Sequence, residues 1–191
     1  VGRWPGGCDN EAARWQLQRA CGDAVGGVPA TRWTLALAVD VRTLSSAMAA
    51  CVRHGGFLAC AQRFDSRAFG LSLAEVNAMD PQQRLLLEHG YAALHDGQLG
   101  REALSGSLTG IFLGIASNEF GLVLGASPAG GSVYSATGSA LSIAAGRLSY
   151  ALGLHGPCVS YETACSSALT ACHGGLFALL LGQCTSGLVA G

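Results

Sequence analysis

The sequence predicts an α/β fold with a mostly parallel sheet under helical cover. Three short runs have the apolar and β-branched composition of strands: residues 109–116, 158–161 and 186–190. Helical patterns separate them, and the resulting order of strand, helix, strand, helix, strand is typical of a mostly parallel sheet. We find no internal repeat and no linker, so we predict that residues 1–191 form one domain or part of one.

The composition is that of a protein interior. Half of the 191 residues are apolar and 12% are charged, well below the usual quarter or so. We therefore expect much of this chain to be covered by further protein. The formal net charge is −1, every one of the 11 basic residues is Arg, and no basic run is present. This charge pattern argues against a nucleic-acid partner.

The eight cysteines form no C-x-x-C pair, and no His stands at a zinc-like spacing from two of them. We therefore predict no metal site and reduced thiols in an intracellular compartment. Two uncharged windows, 121–146 and 166–191, are long enough to suggest a membrane span. Gly, Ser and Thr interrupt both windows, so we predict buried core and no membrane span.

The first sixty residues carry few signals. Asp9 is positioned to cap a helix that ends near Cys21, and Gly22 follows it. We predict an extended segment at 28–33 and a short turn and strand at 54–60. The stretch 34–53 has no clear pattern, and we assign no element to it.

The clearest helix begins at Asp80, with Pro81 at its first position, and should end near Asp96. Before it, Ser72 and Glu75 stand at the spacing of a capping box and indicate a short helix. After the strand 109–116 we predict a loop at 125–135 and then a helix from about residue 140 to 154. Arg147 is the one charge on that helix, so we expect a specific carboxylate or backbone partner for it.

Cys165 stands where the predicted strand 158–161 breaks into a helix rich in Ala and Leu. We predict both elements to be buried. Unpaired N–H groups and the positive end of the helix dipole favour the thiolate at such a position, although apolar burial opposes it. Small neighbours would let a carbonyl carbon approach the sulfur. The same pattern also fits a buried structural cysteine, because free Cys is among the most buried residue types.

Several segments together resemble the β-ketoacyl synthase domains of polyketide synthases. They are 3–7 (RWPGG), 55–58 (GGFL), 64–65 (FD), 79–88 (MDPQQRLLLE), 146–150 (GRLSY), 154–157 (LHGP) and 163–167 (TACSS). Their order and spacing fit across nearly the whole chain. Each segment is weak evidence alone, but the set is highly specific.

The resemblance implies the thiolase-like layered αβαβα fold, of which residues 1–191 would be the N-terminal part, without the first strand and the C-terminal half. It implies acyl transfer to Cys165, whose backbone N–H would be an oxyanion donor, and then decarboxylative Claisen condensation with a malonyl-type thioester. No intrinsic cofactor is implied. The substrates would be carried on the phosphopantetheine of an acyl carrier protein, and the enzyme would be a cytoplasmic homodimer, although an organelle such as a plastid stays open.

The sequence departs from the family pattern at Glu162, where Asp is usual, and at Gly174 and Gly175, which interrupt the proposed cysteine helix and indicate close packing or a kink. The family's catalytic histidines and lysine belong to its second half. His173 should lie about 12 Å from Cys165 along a helix. The other histidines fall in turns, loops or on helix surfaces, where solvated or packing roles are expected: His54, His89, His95 and His155. We therefore expect this chain alone to be inactive. The alternatives are a non-catalytic binding or assembly module and a fatty-acid-type ketosynthase.

Overall fold

A computed structural model of the protein describes residues 2–35 and 39–191. The chain divides into two compact units, Val1–Ala61 and Gln62–Gly191. Each unit is described separately. Residues 36–38, part of the stretch to which the sequence assigned no element, lie outside the described residues.

Among its described residues, the first unit contains two short α-helices and a two-residue strand pair. Its elements are α1 (Glu11–Arg19), β1 (Gly26–Gly27), α2 (Ser46–Cys51) and β2 (His54–Gly55), with β1 and β2 antiparallel. The predicted cap of α1 was wrong by one residue: Asn10 accepts from the Ala13 N–H at 2.9 Å. The extended prediction for 28–33 was also wrong there, because the Arg32 N–H bonds the Pro29 carbonyl and closes a turn.

The second unit begins with the helices that the capping residues predicted. Ser72 accepts from the Glu75 N–H at the start of α3 (Leu73–Ala78), and Asp80 accepts from the Gln82 N–H at the start of α4 (Pro81–Asp96). Both helices are confirmed. A short helix, α5 (Arg101–Leu104), follows and leads into the sheet.

Segment 119–139 is more helical than its sequence suggested. The predicted loop at 125–135 is flanked by α6 (Glu119–Gly125) and α7 (Ser135–Ser139), with a 3₁₀ turn at Pro128–Gly131 between them. The Asp80 N–H bonds the Gly138 carbonyl at 2.8 Å, and a side chain at 138 would collide with the Ala78 carbonyl. Tertiary contacts therefore shape this segment more than its own helix propensity does.

The sheet has three parallel strands in the order β4-β3-β5: β3 (Thr109–Gly114), β4 (Cys158–Tyr161) and β5 (Ser186–Ala190). Helix α8 (Leu141–Leu152) connects β3 to β4, and α9 (Ser167–Leu180) connects β4 to β5. All six residues of β3 are buried, as expected for a central strand covered on both faces. The predicted parallel sheet with helical cover is confirmed.

The two faces of the sheet have separate cores. Ile111 and Leu113 pack with α4 and α8, whose buried side chains include Leu87 and Leu148. On the other face Phe112 packs with Ala171 and Ala178 of α9. The alternation along β3 thus places helices on both sides of the sheet, which is the layered arrangement that the resemblance implies.

Arg147 has the carboxylate partner that the sequence suggested. Its Nη1 lies 2.5 Å from Oε1 of Glu75, and the two side chains are 9% and 22% exposed. The ion pair joins α8 to α3, helices that are far apart in the sequence. It therefore stabilises the arrangement of the helices on this face of the sheet.

Two predictions of burial were wrong for the described residues. Strand β4 is an edge strand, and Cys158 and Val159 in it are exposed. Helix α9 buries Ser167, Ala171, Gly175 and Ala178 but exposes its large apolar side chains on the other side. Hydropathy measures how apolar a segment is, but it does not show which atoms cover it.

Candidate active site

Cys165 lies in a tight elbow between β4 and α9. The strand ends at Tyr161, residues Ala164–Ser166 form a 3₁₀ turn, and α9 begins at Ser167. Cys165 is exposed and its thiol is free. Cys165 therefore precedes the α-helix. The sequence suggested a helix from residue 164, with Cys165 in its first turn, but the α-helix begins about one turn later.

The backbone of this elbow has an unusual conformation. Ala164 has φ +53°, in the left-handed region that non-glycine residues seldom adopt, and Thr163 has φ −133° and ψ 37°. Both residues immediately precede Cys165. The direction in which the thiol is presented therefore depends on a conformation that Ala164 would not adopt by itself.

Hydroxyl groups brace the turn. The Ser167 hydroxyl accepts from the Thr163 N–H and donates to the Ala164 carbonyl, both at 2.8 Å. Ser166 donates to the Thr163 carbonyl at 2.7 Å, and Thr170 donates to the Ser166 carbonyl at 3.0 Å. The N–H groups of Ser166 and Ser167 bond the carbonyls of Thr163 and Ala164. The loop around the cysteine is thus held by several hydrogen bonds.

The glycines of α9 are explained by close packing. A Cβ at Gly174 would collide with the hydroxyl of Tyr161, and one at Gly175 would lie 3.1 Å from the Phe112 ring. The helix runs without a break from Ser167 to Leu180. Close packing is therefore confirmed over a kink, and it brings α9 near the strand that leads to Cys165.

One side of α9 presents a line of exposed residues that starts at the elbow. Its members are spaced by three or four positions and are Leu169, Cys172, Leu176 and Leu180. Leu169 and Leu180 are 74% and 72% exposed. This spacing places the four residues on one helix face, which we call the α9 outer face.

The histidines have contacts of their own, away from a shared site. His173 packs its ring on Phe177 of the same helix at 4.6 Å between ring centroids, and His54 Nδ1 lies 3.0 Å from the Ala50 carbonyl. His95 packs against Tyr91, the backbone N–H of His155 bonds the Ser107 carbonyl, and His89 also has an interaction partner. The ring contacts of His95 and His173 agree with packing roles for these two side chains.

The thiol of Cys158 differs from a solvated one. Cys158 is exposed as a residue, but partial burial of its thiol raises the pKa of Cys158 above the usual range. The thiol form is therefore favoured at neutral pH, which argues against Cys158 as a nucleophile. Glu162, the departure from the family pattern, is exposed beside the elbow.

Sequence reasoning missed the bracing hydroxyls and the contact behind the elbow. A Cβ at Gly114 of β3 would lie 2.5 Å from the Ser167 carbonyl carbon, so the start of α9 rests directly on the central strand. Ser167 was noted only as a small residue. The signal that could have identified it is its spacing of three and four residues from Ala164 and Thr163, which suits side chain to backbone bonds.

Within residues 2–35 and 39–191, no group of three or more His, Cys, Asp or Glu residues is arranged to hold a metal ion. In the same part of the chain, the helices are all too short or too polar to cross a membrane. The chemistry that the site can offer is that of a thiol beside backbone N–H groups.

Comparison with known proteins agrees with this geometry. The sequence model "Beta-ketoacyl synthase, N-terminal domain" matches residues 1–191. Polyketide synthase GfsA of Streptomyces halstedii is 42% identical over 125 residues, which are 65% of this chain and 2% of that protein. Spectinabilin polyketide synthase system protein NorC of Streptomyces orinoci is 42% identical over 136 residues, 71% of this chain and 6% of that protein.

Solved structures give the same result. The oxazolomycin ketosynthase domain of Streptomyces albus JA3453 has a TM-score of 0.81 and 32% identity over 95% of this chain and 32% of that one. A ketosynthase from the bacillaene synthase of Bacillus subtilis 168 has a TM-score of 0.78 and 30% identity over 95% of this chain and 29% of that one. This chain thus spans less than a third of each of these matched proteins.

Fold and elbow define an α/β protein of the ketosynthase type, with a cysteine presented between a strand and a helix. The chain belongs to the β-ketoacyl synthase family, of which it matches the N-terminal domain.

Proposed function

We propose that this chain is the N-terminal part of a polyketide ketosynthase that extends acyl chains through Cys165. The observation that carries the proposal is the elbow: an exposed thiol on a braced turn at the start of a helix, in a chain of this family. Its relatives in Streptomyces are polyketide synthases, which favours polyketide over fatty-acid extension.

In the first step the Cys165 thiolate attacks the thioester carbonyl carbon of an acyl chain held on the phosphopantetheine of an acyl carrier protein. The carbonyl oxygen becomes an oxyanion, and the carrier thiol leaves as the acyl group moves to sulfur. We propose the Cys165 N–H as one oxyanion donor. The next two N–H groups of the elbow are engaged with the carbonyls of Thr163 and Ala164, which supports this choice.

In the second step a malonyl-type thioester loses CO₂, and the electron pair of the broken C–C bond forms the new bond to the acyl carbonyl carbon. The Cys165 thiolate then leaves as the β-ketoacyl product forms on the carrier. The family resemblance implies histidines and a lysine from the other half of a complete ketosynthase for this step. We therefore propose 1–191 as a partial domain and expect it to need that half for condensation.

The test of this proposal is acyl loading of the complete ketosynthase domain by an acyl carrier protein. We expect an adduct of one acyl group by intact mass, and its loss in Cys165→Ala. Cys172→Ala is the matched control, since Cys172 is another exposed thiol on the α9 outer face, and it should load normally. Loading that persists in Cys165→Ala would reject Cys165 as the nucleophile.

A second candidate is an assembly module without catalysis, which the exposed apolar side chains of α9 favour. It predicts that the purified 191-residue chain is folded and monodisperse by itself but takes up no acyl group from an acyl thioester. We also propose homodimerisation, since the exposed edge strand β4 has unpaired backbone groups on one side. We further propose a cytoplasmic location. Sedimentation of the complete domain would test the dimer.

A further inference from the structure

We propose that Ser167 is a positioning residue for Cys165, because its hydroxyl holds the left-handed conformation of Ala164 that aims the thiol. The inference rests on the proposed role of Cys165 as nucleophile. It adds a function for a side chain that does not touch the substrate and acts only through the backbone of the elbow.

Two hydrogen bonds of the Ser167 hydroxyl, which we call the Ser167 clamp, hold the backbone of Thr163 and Ala164. The Ser167 oxygen accepts from the N–H of Thr163 and donates to the carbonyl of Ala164, each at 2.8 Å. These two backbone groups lie at opposite ends of the Thr163–Ala164 pair. One hydroxyl thus closes a ring around the φ and ψ angles of both residues, including the +53° φ of Ala164.

Ser167 is also firmly anchored. It is 6% exposed, while Thr163, Ala164, Cys165 and Ser166 are all exposed. Behind it lies the backbone of Gly114 in β3, so close that a Cβ at 114 would lie 2.5 Å from the Ser167 carbonyl carbon. The clamp therefore connects an exposed turn to the central buried strand. Through Ser167, the position of the sheet fixes the position of the turn.

A left-handed alanine is unfavourable by itself, and it persists only where its surroundings impose it. Without the clamp, Ala164 would relax towards negative φ and turn the Cys165 thiol away from its direction of attack. Acyl transfer depends strongly on such alignment of the reacting atoms. The loss should therefore appear in kcat for acyl loading, with KM for the acylated carrier little changed.

The test is a double-mutant cycle on the complete ketosynthase domain with an acylated carrier protein as substrate. Ser167→Ala should lower kcat for loading about tenfold, which corresponds to roughly 1.4 kcal/mol of activation free energy. Ala164→Gly removes the cost of positive φ. In that background Ser167→Ala should therefore cost threefold or less, a difference that a merely structural serine would not show.

Ser166→Ala is the matched control, because it removes a hydroxyl from the same turn that bonds only Thr163, and its effect should be smaller. Ala164→Val gives a second route should Ser167→Ala fail to fold: a β-branched residue opposes positive φ, so loading should slow with Ser167 intact.

Equal losses from Ser167→Ala in both backgrounds, or normal loading by Ala164→Val, would overturn the positioning role. A parent domain that takes up no acyl group on Cys165 would overturn the nucleophile as well. A parent that loads Cys165 while Ser167→Ala loads equally fast would overturn the positioning role alone.

Discussion

Gly174 shows how one absent side chain can decide local packing. A Cβ there would collide with the Tyr161 hydroxyl and lie 2.8 Å from the ring carbon that carries it. Tyr161 is the last residue of β4, so this contact fixes the distance between the strand and the helix that flank Cys165.

We predict that Gly174→Ala lowers the free energy of unfolding by about 1 to 3 kcal/mol, the usual cost of overpacking. Gly146→Ala is the control, since Gly146 is a helical glycine whose Cβ would meet only the Cys158 sulfur at 3.9 Å. That variant should gain about 0.5 to 1 kcal/mol. Urea unfolding measures both. Because the collision is with the Tyr161 hydroxyl, Tyr161→Phe should restore part of the stability that Gly174→Ala loses. If Gly174→Ala and Gly146→Ala proved equally stable, the close contact would not limit packing.

Cys158 gives a prediction about pH. Burial raises the pKa of its thiol, so the thiolate that reacts with iodoacetamide forms only at higher pH than in a short cysteine peptide. The pH of half-maximal labelling should therefore lie above that of the peptide. Peptide mapping after alkylation measures it, and in urea the midpoint should return to the peptide value. A midpoint at or below the peptide value in the folded chain would contradict the burial argument.

Among the elements, helices α3 and α8 are joined by the Glu75–Arg147 ion pair, whose Arg side chain is 9% exposed. Removing one member of such a pair leaves a charge in a place where water cannot solvate it well. Nothing in the local sequence of either helix identifies the partner, because the contact spans 72 residues.

We predict that Glu75→Gln costs about 3 kcal/mol of unfolding free energy, a value at the low end for broken buried pairs because Glu75 is partly exposed. Glu11→Gln breaks an exposed pair with Arg14 on α1 and should cost under about 1 kcal/mol. Thermal unfolding compares the two variants. Similar shifts for both would mean that the Arg147 charge is solvated well enough without its partner.

The sequence predicted the positions of helices and strands better than the tertiary contacts around them. Caps and proline fixed the starts of α3 and α4, since capping depends on residues within one turn. The strand pattern identified β3, β4 and β5. Helix α6, with two Gly in seven residues, and helix α7, rich in Ser and Gly, were missed because both have low helix propensity. Helix α7 depends on contacts such as that of Gly138 with Ala78.

The site was predicted in outline. A cysteine at a strand-to-helix break could be located from composition, but the left-handed Ala164 and the Ser167 clamp depend on torsion angles that one-letter patterns do not carry. Burial of α9 was wrongly inferred for the same kind of reason, because hydropathy states a tendency and the covering atoms must come from elsewhere.

For the whole molecule, the α9 outer face is the feature that should most reduce the stability of the isolated chain. Leu169, Leu176 and Leu180 expose most of their surface in this chain, and we propose that the rest of a complete ketosynthase covers them. The same side chains should then be harmful in the isolated chain and useful in the complete domain.

We predict opposite effects of Leu180→Glu in the two contexts. In the isolated 191-residue chain it should reduce aggregation and hydrophobic dye binding, because it removes exposed apolar area. In the complete domain it should lower the melting temperature, because the added charge would be buried without a partner. Gln98→Glu adds the same charge at an exposed site elsewhere and should do neither. Effects of one sign in both contexts would show that the face stays in water.

The order of the three strands also has a consequence for synthesis on the ribosome. β3 lies in the middle of the sheet, yet both of its neighbours emerge later, and the bond between the hydroxyls of Thr109 and Ser186 joins residues 77 positions apart. At the usual translation rates this interval is roughly 4 to 15 s. Strand β4 emerges first and can pair with one edge of β3, but the other edge has no partner until β5 is made. The nascent chain should therefore depend on chaperone protection until β5 has left the exit tunnel.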